Sequence, residues 1–327
     1  MKNRMDDAIR TFAPLVDRVI VITGPTASGK SSIGMELASQ IGGEILSLDS
    51  IAVYRQMDIG TAKPSAADRS RVPHHLIDLV DPNESFSVAC YLKAAHAVVD
   101  RLQQQGKPAI FVGGTPMFLK GVLRGFDPGP PADETFRSAV EQDLAKHGVE
   151  ALRQRLLQVD PLAAHRIGPR DARRMIRALE VAHHTGKPLS HRQVQFDQST
   201  DASSCNVFWM RWDRKTLHQR INRRVDQMFE EGLVDEVNGL LQSNRALSKT
   251  AAQAVGYREL IECCEHQRSG VPETEFKQAR EDIATHTRQL AKRQETWFRS
   301  FTELRPIQLT EPVDPVAVAR TIADSLV

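Results

Sequence analysis

Cysteine is scarce in this chain: four residues in 327 (Cys90, Cys205, Cys263 and Cys264), none of them spaced as Cys-x-x-Cys. That excludes the usual cysteine-based zinc sites and a disulfide framework, and predicts reduced, mostly buried thiols in a cytoplasmic protein. Long apolar runs are missing as well. No stretch approaches the roughly 20 residues of a transmembrane helix, so no membrane association is expected. Near the start, Asp6, Asp7, Asp17 and Arg18 interrupt any apolar core of a secretory signal. Strong charge of one sign is absent too. With a formal net charge of +2, a polyanionic partner would have to be met by cations gathered locally. Repeats and low-complexity tracts do not occur. What remains, 41% hydrophobic and 26% charged residues, is ordinary globular composition with enough chain for one large domain or two.

The most informative segment is Gly24-Pro25-Thr26-Ala27-Ser28-Gly29-Lys30-Ser31, directly after the apolar run Val19-Ile20-Val21-Ile22-Thr23. Its Gly-x4-Gly-Lys-Ser pattern lies between a strand and an amphipathic stretch carrying Ile33, Leu37 and Ile41. Glycines let consecutive backbone N–H groups converge on one concavity, and the helix N-terminus adds positive potential there. Lys30 can reach outer phosphate oxygens and the Ser31 hydroxyl can ligate Mg²⁺. These residues predict a di- or triphosphate site.

Two further apolar segments read as parallel strands with polar ends. Glu44–Leu48 leads into Asp49-Ser50, and Pro108–Val112 leads into Gly113-Gly114-Thr115. Helical periodicity over Ser85–Gln105 separates them, and Val207–Trp212 reads as a return to the sheet. The predicted fold is α/β: a P-loop NTPase-like doubly wound parallel sheet with a helical insertion and a helical C-terminal region. Asp127-Pro128-Gly129-Pro130-Pro131 is a linker signal. The expected organisation is an N-terminal extension (1–17), a core from 18–128 and 200–327, and a helical insertion over 129–199. Within the insertion Asp171 is a candidate N-cap and Gly186 a C-terminal stop.

In such sheets ligands lie beyond the carboxyl ends of the strands, so the phosphate loop, Asp49 and Thr115 are expected to share one crevice. Asp49 suits a general base or an outer Mg²⁺ partner, although a capping role would use the same residue. Thr115 suits a hydroxyl donor to phosphate, or simply a turn. Arginines gather at Arg173, Arg174 and Arg177, at Arg220, Arg223 and Arg224, and around Arg288, Lys292, Arg293 and Arg299. Solvated helix faces or polyanion contacts both account for them. Tyr54-Arg55 and Tyr257-Arg258 place aromatics beside arginine, which suits a stacked base, although isolated pairs of this kind are more often surface packing. A small-molecule kinase, a prenyl-type transferase and a non-catalytic nucleotide-binding regulator all fit up to this point. The roughly two hundred residues after the third strand, helical and arginine-rich, favour a large acceptor such as RNA.

The phosphate loop, Leu48-Asp49-Ser50, the run from Val53 to Pro64 ending in Asp58-Ile59-Gly60-Thr61-Ala62-Lys63-Pro64, Val112-Gly113-Gly114-Thr115, Val255-Gly256-Tyr257-Arg258 and Thr287–Arg299 together resemble the bacterial tRNA dimethylallyltransferases. The match runs in order from about residue 18 to 300. It implies transfer of a dimethylallyl group from dimethylallyl diphosphate to N6 of the adenosine next to the anticodon. The loop Gly24–Ser31 would then hold the donor's diphosphate with Mg²⁺, without ATP hydrolysis. Asp49 would correspond to the catalytic aspartate on the flipped-out adenine, with Thr115 and Arg224 near the diphosphate. Contacts to the tRNA anticodon stem-loop would come from Asp49-Ser50-Ile51-Ala52, Thr115, Arg137, Arg173-Arg174-Met175-Ile176-Arg177 and Gln253-Ala254-Val255-Gly256-Tyr257-Arg258. A monomer without an obligate protein partner is implied. Two positions depart from the common pattern: Ala52 stands where many members carry glutamine, and Phe118 where many carry tyrosine.

Overall fold

A computed structural model describes residues 11–192, 200–243, 245–267 and 274–326. The strands are β1 (Ile20–Thr23), β2 (Glu44–Leu48), β3 (His74–His75), β4 (Ala109–Gly113), β5 (Val207–Arg211) and β6 (Arg305–Gln308). They form one sheet in the order β3-β2-β4-β1-β5-β6, every pair parallel. The inner strands are rich in Ile, Val and Leu and bury nearly every residue, as parallel strands covered on both faces must. Two edge strands carry no such signal. β3 has two residues, and β6 contains Pro306, which lacks an N–H and is tolerated at an edge. Both lay outside the strands expected from sequence.

The chain divides into two compact units. The larger, Leu15–Leu123 with Ser199–Val327, contains the whole sheet. Behind its phosphate loop runs helix Lys30–Ile41. A Cβ on Gly34 would stand 2.6 Å from a Val112 methyl, so glycine is what lets this helix lie against β4. Helix Arg214–Glu230 buries Leu217, Ile221, Val225 and Met228, and helices Thr274–Phe298 and Pro315–Asp324 follow it in the C-terminal region.

The other unit comprises Met1–Pro14 and Arg124–Gln198, of which 11–14 and 124–192 are described. Phe12 and Phe126 exchange backbone hydrogen bonds at 2.8 and 3.0 Å, which ties the start of the described chain into this unit. Residues 1–10 of the expected extension and the expected boundary at 199 lie outside the described residues. The unit is helical: Glu134–Val159, interrupted at Gly148 (φ +78°), then Pro161–Arg166 and Ala172–Thr185. Asp171 caps helix Ala172–Thr185 by accepting from the Arg174 N–H, and Gly186 (φ +65°) ends it. Val140, Leu152, Leu156, Met175, Ile176 and Leu179 make its core. Met175 and Ile176 are 1% and 7% exposed. Their assignment as tRNA contacts is therefore corrected: a face that closes a hydrophobic core does not reach a polyanion. Among the described residues no helix is long and apolar enough to cross a membrane.

Candidate active site

The phosphate loop is braced from three directions. Trp212 Nε1 donates to the Ser28 carbonyl at 3.0 Å, and Arg220 Nε to the Ala27 carbonyl at 2.8 Å. Gln294, on the C-terminal helix, accepts from the Thr26 N–H at 3.0 Å and donates to the Gly114 carbonyl at 2.8 Å. Ala27 and Gly29 take left-handed φ values of 62° and 81°, and the turn they make delivers the loop to the N-terminus of helix Lys30–Ile41. Gly113 follows from close approach: a Cβ there would stand 2.3 Å from the Leu48 carbonyl oxygen. The loop, the end of β2 and the end of β4 are thus fixed to one another by backbone contacts.

At the end of β2, Asp49 Oδ1 accepts from the N–H groups of Ile51 (2.8 Å) and Ala52 (3.2 Å). The expected capping role is the one these hydrogen bonds show. The first oxygen caps the turn, while Oδ2 accepts no hydrogen bond among the described residues. Two half-buried cations share its field. Lys30 donates to the Pro25 carbonyl at 3.1 Å, and its pKa is pulled down to about 8, chiefly by burial and by the Arg224 charge, with Asp49 opposing. Arg224 is lowered by burial and raised by Asp49 and Glu231. It makes no hydrogen bond or ion pair among the described residues. Desolvated cations without an ion-pair partner favour a bound anion, because the ligand's charge replaces lost hydration.

A cavity of about 460 Å³ opens here, with Thr26, Lys30, Ser31, Asp49, Ile51, Ala52, Ala254, Val255, Arg224 and Gln294 in its wall. A second, of about 870 Å³, shares Lys30, Ser31, Lys63 and Arg224 and adds Ser28, Gly29, Arg220 and Arg223. The phosphate loop therefore faces two openings. Lys63 stands in both walls, 2% exposed, with its Nζ 2.7 Å from Asp58 and from Asp78. Glu236 accepts from the N–H groups of Asp58, Ile59 and Gly60, at 2.8, 2.8 and 3.3 Å. Gln294 lies within the Thr287–Arg299 run but has no role expected of it, and Glu236 gives no signal in sequence, since an isolated Glu on an amphipathic helix is an ordinary surface residue.

Other expected site residues land differently. Thr115 is absent from both cavity walls. Its hydroxyl accepts from the Ser50 N–H at 3.0 Å, which stabilises the turn after Asp49, so in this structure it is not aimed at a phosphate. Tyr257 is 1% exposed, its hydroxyl donates to Glu236 at 2.6 Å, and its ring occupies the space a Gly60 Cβ would need. Tyr54 is 0% exposed. Both rings are core side chains, so neither base stacking nor surface packing describes them. Arg258 pairs with Glu259 at 2.5 Å and Gln253 is exposed. In the helical unit, Arg137 grips Glu180 through two hydrogen bonds of 2.9 and 3.1 Å. Arg177 also bonds Glu180, and donates to the carbonyls of Pro128 and Pro130 at 2.8 Å each. These two expected tRNA contacts are thus engaged with Glu180 inside the helical unit while staying about a third exposed. Arg173 and Arg174 are exposed, and Arg174 is 3.2 Å from Asp171.

Comparison with known proteins decides what carries this site. The family model "IPP transferase" matches residues 52–301, and the model "Isopentenyl transferase" matches residues 17–78. The chain belongs to the IPP transferase family. The isopentenyl transferase match holds the phosphate loop and Asp49, while the IPP transferase match holds Arg224 and the 253–258 turn. The tRNA dimethylallyltransferase of Rhodopirellula baltica is 57% identical over 308 residues, covering 92% of this chain and 90% of its own. That of Geobacter sulfurreducens is 41% identical over 300 residues, with 92% and 94% covered. Among solved structures, the tRNA isopentenylpyrophosphate transferase of Bacillus halodurans is 36% identical with a TM-score of 0.66, covering 94% of this chain and 96% of its own. A eukaryotic dimethylallyltransferase acting on tRNA is 26% identical with a TM-score of 0.75, covering 93% and 77%.

Proposed function

We propose that the protein transfers a dimethylallyl group from dimethylallyl diphosphate to N6 of the adenosine 3′-adjacent to the anticodon of tRNA, releasing diphosphate. The observation that carries this reading is the Asp49 carboxylate, one oxygen locked and the other free, beside Lys30 and Arg224 at the phosphate loop. The names of the relatives point to the same chemistry. The loop N–H groups, Lys30 and Arg224 hold the donor's diphosphate. The adenine is unstacked from the anticodon loop into the cavity between the 49–52 and 253–258 segments. The N6–C1 bond forms as the C1–O bond breaks; the bonding pair leaves with diphosphate and the N6 proton passes to Asp49 Oδ2. Lys30 and Arg224 stabilise the charge that develops on the leaving oxygens.

The residues present fit Mg²⁺ held largely by substrate and water. Ser31 is exposed at the loop with Asp49 near the same cations, and no cluster of three metal-ligating side chains occurs among the described residues. Ser31 would ligate it, and when bound it supplies further neutralisation of the departing diphosphate. The protein works in the cytoplasm as a monomer. In the helical unit, the exposed Arg173 and Arg174 contact the tRNA backbone. The test mixes purified protein, unmodified tRNA, Mg²⁺ and labelled dimethylallyl diphosphate, beside a tube with γ-labelled ATP. Label entering tRNA from the prenyl donor alone is expected. Transfer from ATP alone would replace this reading with a kinase.

A further inference from the structure

The run Asp58-Ile59-Gly60-Thr61-Ala62-Lys63-Pro64 is part of the family resemblance, yet nothing in the chemistry above uses it. Its lysine stands in both cavity walls with the phosphate loop, where a cation reads most simply as a phosphate ligand. The hydrogen bonds give a different answer. An ammonium has three donors. Lys63 commits all three inside the protein, to the Tyr54 carbonyl at 2.5 Å and to Asp58 and Asp78 at 2.7 Å each. Its side chain is 2% exposed, so no donor is left for a ligand. Arg69 takes the second Asp78 oxygen at 2.8 Å. Burial pushes the Asp78 carboxyl up, but hydrogen bonds from Lys63 and Arg69 outweigh it and hold its pKa below the usual value.

Two hydrogen-bond paths lead from that one ammonium to one oxygen of Asp49. Along the first, Lys63 holds the Tyr54 carbonyl, the Tyr54 N–H donates to the Ile51 carbonyl at 3.0 Å, and the Ile51 N–H donates to Asp49 Oδ1. Along the second, Lys63 holds Asp78, whose N–H donates to the Ala52 carbonyl at 3.2 Å. The Ala52 N–H then donates to the same Oδ1. The lysine's own backbone is fixed as well. Its N–H donates to the Asp58 carbonyl at 3.0 Å, and Glu236 accepts from the N–H groups of Asp58, Ile59 and Gly60. We propose that Lys63 is a positioning residue for Asp49: it clamps the 49–54 turn so that Oδ1 stays occupied and Oδ2 is presented to the acceptor amine. The inference rests on the role given to Asp49 above. Lys30 and Arg224 remain the cations that meet the diphosphate, and Lys63 aligns the proton acceptor. Misplacing such a group by about 1 Å costs on the order of a hundredfold in rate.

The experiment measures, on the intact protein, kcat and KM for label transfer to tRNA and, by calorimetry, the affinity for inorganic diphosphate. Both are read at a temperature where circular dichroism shows every variant folded. Lys63→Met is expected to lower kcat by about ten- to a hundredfold, with the KM for tRNA within about threefold and diphosphate affinity within about twofold. A loss of diphosphate affinity of about tenfold or more makes Lys63 a ligand and overturns the proposal, as does an unchanged kcat. Asp78 lies in neither cavity wall, so Asp78→Asn disturbs the second path without touching a ligand. It should lower kcat severalfold, and combined with Lys63→Met it should lower kcat no further than Lys63→Met alone. Losses that multiply would mean two independent effects and overturn the shared path. Should Lys63→Met fail to fold, Asp78→Asn is held to the same split between kcat and diphosphate affinity. Wild type that transfers nothing overturns the functional reading and the clamp with it; wild type that transfers at a rate Lys63→Met matches overturns the clamp alone.

Discussion

Cations in the two units are held in opposite ways. In the sheet unit, Lys30 and Arg224 are half-buried without an ion-pair partner among the described residues, and Lys30 is depressed to about 8 as a result. In the helical unit, Arg137 and Arg177 converge on Glu180, whose side chain is 0% exposed. Burial drives the Glu180 carboxyl upward, but hydrogen bonds from Arg137, the Asp133 N–H and Arg177 outweigh it and hold the pKa below its usual value. One arrangement leaves electrostatic work for a ligand; the other completes it within the fold. A cluster of arginines thus signals an anion site only where no internal carboxylate has claimed it.

The comparison can be broken most decisively at Asp49. Asp49→Ala should lower label transfer to tRNA by about 10²- to 10⁴-fold, with tRNA binding in a filter assay within twofold. Equal loss of binding would make Asp49 a recognition residue instead. On the other side of the comparison, Glu180→Ala strands two guanidinium groups that are each about a third exposed. It should cost about 3 kcal/mol, read as a shift in denaturant midpoint, whereas a neutral result would mean that the clasp is ornamental.

Lys30 sharpens the contrast through pH. A bound diphosphate raises its pKa above the free value of about 8, so the anion binds the protonated form. Affinity should be flat below pH 8 and fall by up to about tenfold per unit above it. Comparing wild type with Lys30→Met at each pH cancels the ligand's own titration; a pH profile shared by both would remove Lys30 from the site. The smallest effect is expected at Arg173, exposed and unpaired among the described residues. Arg173→Glu should weaken tRNA a few-fold and reduce the slope of log affinity against log salt by about one. Arg177→Gln should lower stability and leave that slope alone.

Much of this was legible in the residues. The loop Gly24–Ser31 has a strand before it and a helix after it because β-branched residues and then i, i+4 apolar spacing sit on either side. Asp171 and Gly186 delimit a helix because capping is a local interaction within three or four residues. The edge strands β3 and β6 were not legible, because two to four residues at a sheet margin take their conformation from the neighbour they pair with.

Local chemistry, then, was determined by the sequence alone: the phosphate loop, the polar ends of the inner strands, the helix limits and, through motif order, the family. The tertiary structure decided which side chains are available. Tyr257 and Arg258 are adjacent to a recognisable motif, yet Glu236 and Glu259, 21 residues before and one residue after, occupy them. Arg137 and Arg177 look alike in sequence to Arg173, and only Glu180 separates them. Availability depends on what fills the space beyond each polar atom, and long-range packing, not local spacing, supplies that neighbour.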